Sequence, residues 1–252
     1  FTRLMLVSVA AMGIVACPTE PVIYIPEVNT FDMTIIADGD TRTELVDGTS
    51  INWSAGDQLS VVVNNSAKTS NALESVSTTA SFIVEGVTAS KTGYTIQAVY
   101  PADANKDARG TDYPNVYKIL TATEQTPSTT SFDGNADMLV AKEVTTTEQP
   151  SELIMQFTRL VALVEMTLTK FTPESAIKSV TFSTSDAALT GRSYVNLSTT
   201  EVEYGYTNQA SKEVILSYSD DEVRVGAYKI YFTCFYAELT TVTVAVETFA
   251  GT

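Results

Sequence analysis

The chain has 252 residues, 44% of them hydrophobic, which suits one large β domain or two of roughly 100 residues each around a real core. Against 15 Lys and Arg stand 30 Asp and Glu, a net charge of −15 that repels phosphate backbones and makes nucleic acid a poor partner. Histidine is absent, which removes Ser-His-Asp and Cys-His relays, histidine-bound zinc and the commonest general base.

Residues 1–16 read as a lipoprotein signal peptide. Arg3 is a short basic region, and Leu4 to Ala16 is an apolar run ending in small residues. The run is too short for a comfortable membrane span, which needs about 20 apolar residues. Ile14-Val15-Ala16-Cys17 resembles a bacterial lipobox, so Cys17 is the expected lipidation site. The alternatives are an ordinary signal peptide or a core helix that contains Cys. The chain begins at Phe1 rather than Met, which reads as a missing piece of the basic region. Residues 17–30 carry Pro18, Pro21 and Pro26 and read as an extended tether or an edge strand, never a helix.

From Phe31 the signal has period two. Phe31, Met33, Ile35 and Ala37 alternate with more polar neighbours, and Asp38-Gly39-Asp40 marks a turn. Thr41 to Leu45 resumes an extended run, closed by the turn dipeptide Asp47-Gly48. Ile51 to Trp53 and Gln58 to Val63 flank the turn at Ala55-Gly56-Asp57, and Phe82 to Val84 is a short strand. Tyr94, Ile96, Ala98 and Tyr100 share one face of a strand that Pro101 stops. Val116 to Leu120 is a further strand, and a turn from Phe132 to Asp137 precedes Met138 to Ala141. Thr145 to Ser151 reads as a linker or long crossover, which divides the chain into an N-terminal unit, 31–147, and a C-terminal unit, 151–252.

The second unit opens with Leu153 to Phe157 and then Leu160 to Leu168, the most apolar segment after the leader. It is apolar on both faces and so is expected as a central strand. Ser175 to Lys178 is a candidate helical turn. Strands are expected at Ile177–Phe182, Tyr194–Leu197, Val214–Tyr218, Gly226–Tyr236 and Thr241–Thr248. Many short strands, no long helix and no fixed repeat predict an all-β chain of two antiparallel, Greek-key β-sandwich domains.

Few residues invite chemistry. Asp103, Asn105 and Asp107 have the opening spacing of a calcium loop, but Ala108 and Pro114 stand where glycine and an acid are required, which favours a solvated loop. Asp220-Asp221-Glu222 reads as a solvated hairpin tip. Trp53 is either a sugar-stacking platform or, the stronger reading, a core residue. Cys234 lies in an apolar run and reads as a small core hydrophobe with no disulfide partner once Cys17 is lipidated. With no nucleophile elbow, glycine-rich phosphate loop or C-x-x-C motif, no enzyme activity, cofactor or metal is expected.

Several phrases occur together in a set order. They are Thr41-Arg42-Thr43-Glu44-Leu45, then Trp53-Ser54-Ala55-Gly56-Asp57 and Tyr94 to Pro101, followed by Asp137 to Ala141 and Phe157 to Ala162. Behind a lipobox, this series resembles the fimbrillin family of pilus subunits of Gram-negative anaerobes. The resemblance implies two transthyretin-like β-sandwich domains and a precursor anchored to the outer membrane through lipidated Cys17. It also implies a cut by a trypsin-like protease at Arg42, whose alternative is a plain surface arginine, and polymerisation with neighbouring pilus subunits by strand addition in support of adhesion. The alternative is a surface glycan- or host-binding lipoprotein that does not polymerise. The chain stops at Thr252 just after an expected strand, which reads as a truncated second unit or as a strand supplied by a partner.

Overall fold

The computed structural model describes residues 29–38, 44–46, 50–102, 105–106, 116–172, 175–200, 202–203, 210–219 and 223–249. The first strands are β1 (Thr30–Asp38), β2 (Glu44–Val46), β3 (Ser50–Asn52), β4 (Ser60–Val63), β5 (Ser66–Thr69), β6 (Ala80–Thr88) and β7 (Tyr94–Tyr100). There follow β8 (Asn105–Lys106), β9 (Val116–Thr121), β10 (Glu124–Gln125), β11 (Leu139–Thr146), β12 (Glu152–Arg159) and β13 (Val161–Phe171). The last are β14 (Ile177–Ser183), β15 (Thr190–Asn196), β16 (Val202–Glu203), β17 (Ala210–Ser211), β18 (Glu213–Ser217), β19 (Gly226–Phe235) and β20 (Thr243–Thr248). Among the described residues the one helical element is a 3-10 turn at Gly134–Ala136, so the chain is nearly all β. The helical turn expected at Ser175 to Lys178 does not form, because Ile177 and Lys178 already belong to β14.

Seven strands make the first sheet, in the order β5-β4-β7-β11-β12-β1-β6. Its alternation sends Val61, Val63, Tyr94, Ile96, Ala98, Leu139, Ala141, Met155 and Phe157 to one side, where they close around Trp53. The sheet curls until its two ends meet. Asn71 N–H donates to the Ile83 carbonyl at 2.8 Å, and the Lys68 ammonium reaches the Gly86 carbonyl at 2.6 Å. The result is close to a barrel. Asn64 and Asn65, at φ 48° and 67°, form the two-residue turn between β4 and β5; asparagine tolerates this left-handed backbone and the turn's twist matches that of the strands.

The outer side of that sheet supplies Val62, Val99 and Val140 to a second core, shared with Tyr117 of β9, Val195 of β15, Leu160, Val161 and Phe235. Sheet β16-β15-β9-β8, with β17 paired to β15, therefore lies against the first sheet. A third core, built on Ile177, Val180, Val214, Leu216, Ile230 and Phe232, sits between the sheet β10-β18-β14-β20 and the ribbon β13-β19.

Three expectations change. Pairing is not antiparallel throughout, since β1–β12 and β10–β18 are parallel. β12, assigned from the sequence to the second unit, hydrogen-bonds with β11 and β1 of the first, while β9, assigned to the first, pairs with β15. Sheet pairing therefore runs across the expected 147/151 division in both directions. Finally, β13 is not central: among the described residues β19 is its one hydrogen-bonded neighbour, and several of its apolar side chains are only half-buried. The far edge of β19 is occupied differently. The buried Gln125 side chain accepts from Thr233 N–H at 3.0 Å and donates to the Thr233 carbonyl at 2.9 Å, as a strand would.

Candidate strand-exchange site

Strand β1 is the element that the expected cut would affect. Its sequence alternates, so Met33, Ile35 and Ala37 point into the first core and are buried, while Thr34 and Ile36 point outward. On one side it pairs with β6, antiparallel, from Thr30 opposite Thr88 to Ala37 opposite Ala80, with a bulge between Phe31 and Met33. On the other it pairs with β12, parallel, from Thr34 opposite Glu152 to Asp38 opposite Gln156. Asp32 fixes the bulge, accepting from Gly86 N–H at 2.8 Å. Parallel pairing is slightly weaker per residue than antiparallel, so β1 has one strong and one weaker border.

The slot under β1 is apolar. Phe82 and Val84 of β6 and Met155 and Phe157 of β12 line it together with Trp53. Trp53 is 1% exposed and meets Phe82, Tyr100 and Phe157 edge-on, with ring centres 5.1, 5.7 and 5.9 Å away. It is a core residue and offers no face to a sugar. Burying Met33 and Ile35 contributes roughly 1.5–3 kcal/mol each. The whole strand is therefore worth a large part of a domain's usual 5–15 kcal/mol or so. Such a strand can leave only if another takes its place. The outer face of the same region is unusually apolar: Ile154 is 63% exposed and Ile83 46%, with half-buried Ile36 opposite Ile154.

Arg42 and Cys17 lie outside the described residues, as do the acids at 103, 107 and 220–222. Cys234 is buried, and burial pushes its thiol up to about 11, so it is inert filling as expected. Sequence reading missed the pair Asp137–Arg159. The guanidinium holds both carboxylate oxygens at 2.9 Å, and Met138 N–H donates to Oδ1 at 2.9 Å. Burial pushes the Asp137 carboxyl up and Arg159 opposes that push. Leu160 N–H bonds to the Met138 carbonyl at 2.8 Å, so the pair fixes the point where the chain leaves β12 for β13. Asp137 and Arg159 were visible as parts of the phrases that carry the family resemblance, but nothing in their spacing signalled that they meet.

The fold defines a nearly all-β protein of one curled sheet and further layered sheets. The chain matches a solved structure of a proposed cell adhesion protein from Bacteroides ovatus with 15% identity and a TM-score of 0.52, over 88% of this chain and 84% of that one. It also aligns with a fimbrial assembly protein from Parabacteroides distasonis at 12% identity and a TM-score of 0.34, over 87% of this chain and 96% of that one. The first of these shows a shared fold. No family model matches the chain, and no curated protein matches it.

Proposed function

We propose that this chain is a structural or accessory subunit of a surface pilus, a fimbrillin-like lipoprotein held to the outer membrane through Cys17 until a trypsin-like protease cuts at Arg42. The observation that carries the reading is β1: a buried strand of nine residues, ending four positions before Arg42, over an apolar slot between β6 and β12. Its removal would leave two unpaired strand edges and a row of uncovered Phe, Met and Val side chains, which an extended segment of a neighbouring subunit would satisfy. Each subunit would give one surface and receive on another, and such a head-to-tail contact grows into a fibre rather than closing. The fold shared with a proposed cell adhesion protein agrees with a role in adhesion.

The test is proteolysis of the full chain. Cleavage at Arg42 should release the segment that contains β1 and yield ladders that survive mild detergent. A synthetic peptide of residues 30–38 in excess should suppress them, and Arg42→Ala should prevent them. Protein that is cut at Arg42 yet stays monomeric rules out the polymerising role.

A further inference from the structure

Strand β13 has 11 residues, against a usual length of about five or six, and β19 is its one neighbour among the described residues. A long margin of this kind pairs with another chain unless something covers it. The bonds of β19 show which residues form the margin. Tyr231, Thr233 and Phe235 N–H turn away from β13, to the Ser128 carbonyl at 3.3 Å, the Gln125 amide oxygen at 3.0 Å and the Leu189 carbonyl at 2.7 Å. Successive residues of a strand turn their backbone groups to opposite sides. Ile230, Phe232 and Cys234 therefore bond to Met166, Val164 and Ala162 opposite them, and Leu163, Glu165 and Thr167 turn their N–H and carbonyl groups away from β19.

The same alternation joins this margin to the slot under β1. Just ahead of β12 the Ser151 carbonyl accepts from Thr34 N–H at 3.0 Å, and the parallel register turns Leu153, Met155 and Phe157 to β1 likewise. Leu160 N–H turns the other way, to the Met138 carbonyl at 2.8 Å on the β11 side. Even-numbered residues thus stay with β11 and then with β19, while odd-numbered ones face β1 and then form the margin of β13. We infer that the segment which replaces β1 runs on past the position of Asp38 and lies along β13 as well. The strand given by a neighbouring copy is then roughly 15 residues long, against the nine of β1.

The third core supplies side chains for such a strand to cover. Gln125 belongs to β10, at the opposite end of its sheet from β20, and it bonds to β19, so β13 and β20 lie together on the other flank of that core. There Val164, Met166 and Leu168 of β13 and Val246 of β20 are only half-buried, and Val244 is 40% exposed. An added strand with an apolar residue at every second position covers them. The outer face of β13 is polar: the Lys229 ammonium bonds to Glu165 at 3.0 Å, and Tyr231 O–H donates to the same carboxylate at 2.8 Å. The occupant is thus an extended segment of a second copy, apolar toward the third core and polar outward. Acids are disfavoured at its outward positions, because they add to a net charge of −15. This inference rests on strand exchange at β1 and adds the length of the donor and the second half of its path.

The experiment follows amide hydrogen exchange by NMR in the full chain, uncut and after cleavage at Arg42, with ladders dissolved in a solvent that quenches exchange. In uncut monomer Leu163, Glu165 and Thr167 should exchange about 100-fold or more faster than Val164 and Met166, and in ladders they should slow by about 100-fold or more. Thr167→Pro removes an outward N–H that β19 does not use, a change that edge strands tolerate. The uncut variant should therefore melt within about 4 °C of the parent, while its yield of ladders falls about tenfold or more. Thr167→Ala should form ladders as the parent does. Ladders in which the three amides stay fast, or a folded Thr167→Pro with full ladder yield, overturn the proposal and leave strand exchange at β1 standing. Slow exchange of the three amides in uncut monomer overturns it too. Cut parent that forms no ladders overturns both. If Thr167→Pro does not fold, the exchange comparison decides alone.

Discussion

The curled first sheet and the split third core solve the same packing problem differently. Around Trp53 seven strands bring nearly every inward side chain to full burial, and the ends of the sheet meet. Between β13-β19 and β10-β18-β14-β20, Ala162, Val164, Met166, Leu168, Phe182 and Val246 are only partly covered, and β13 and β20 each have one hydrogen-bonded neighbour among the described residues. The lesson is that a period-two apolar pattern states which face a side chain takes, but not how many strands will cover it. Coverage depends on sheet closure, and only the first region achieves it.

The hardest test of the contrast strikes the joint between the regions. Arg159→Ala leaves Asp137 buried opposite no cation, and should lower unfolding stability by about 4 kcal/mol in urea titration, with both regions weakened together. A loss below about 1 kcal/mol would mean that the pair does not fix the joint. Next comes a matched pair of truncations. Met33→Ala in the closed core should cost about 3 kcal/mol, while Met166→Ala in the half-covered one should cost about 1. Equal losses would erase the distinction drawn here.

The smallest effect is a titration. Asp186 accepts from the N–H groups of Thr240 at 2.6 Å and Thr241 at 2.9 Å, just ahead of β20, and these bonds pull its carboxyl down to about 2. A folded value below the ordinary one stabilises the fold above the ordinary carboxylate range, and that contribution is lost as pH falls toward 2. Parent and Asp186→Asn should therefore differ in Tm at pH 5 and converge near pH 2. A gap that does not narrow would show that Asp186 has no part in holding β20.

Strand existence was legible in the residues, strand company was not. Tyr94 to Tyr100 came through with its ends in place because its pattern is local and Pro101 closes it. Strand β5 was missed because Ser66–Thr69 is exposed and carries no apolar alternation; the paired asparagines before it were the available signal. The parallel partnership of β1 and β12 joins segments more than a hundred positions apart, and no short-range pattern encodes such a choice. Likewise, Leu160 to Leu168 reads as central because it is apolar on both faces, yet it lies at an edge whose outer cover is incomplete. The candidate slot was half legible. The apolar alternation of β1 could be read, but the neighbours that form the walls could not.

Gln125 gives the β13-β19 ribbon a direction. Its amide takes both backbone groups of Thr233, and on either side the Ser128 and Leu189 carbonyls accept from Tyr231 and Phe235 N–H, so the β19 margin is engaged along its length, while among the described residues no second strand lies beside β13. A strand added to this ribbon would meet bonded groups along β19, so the ribbon presents its two margins unequally.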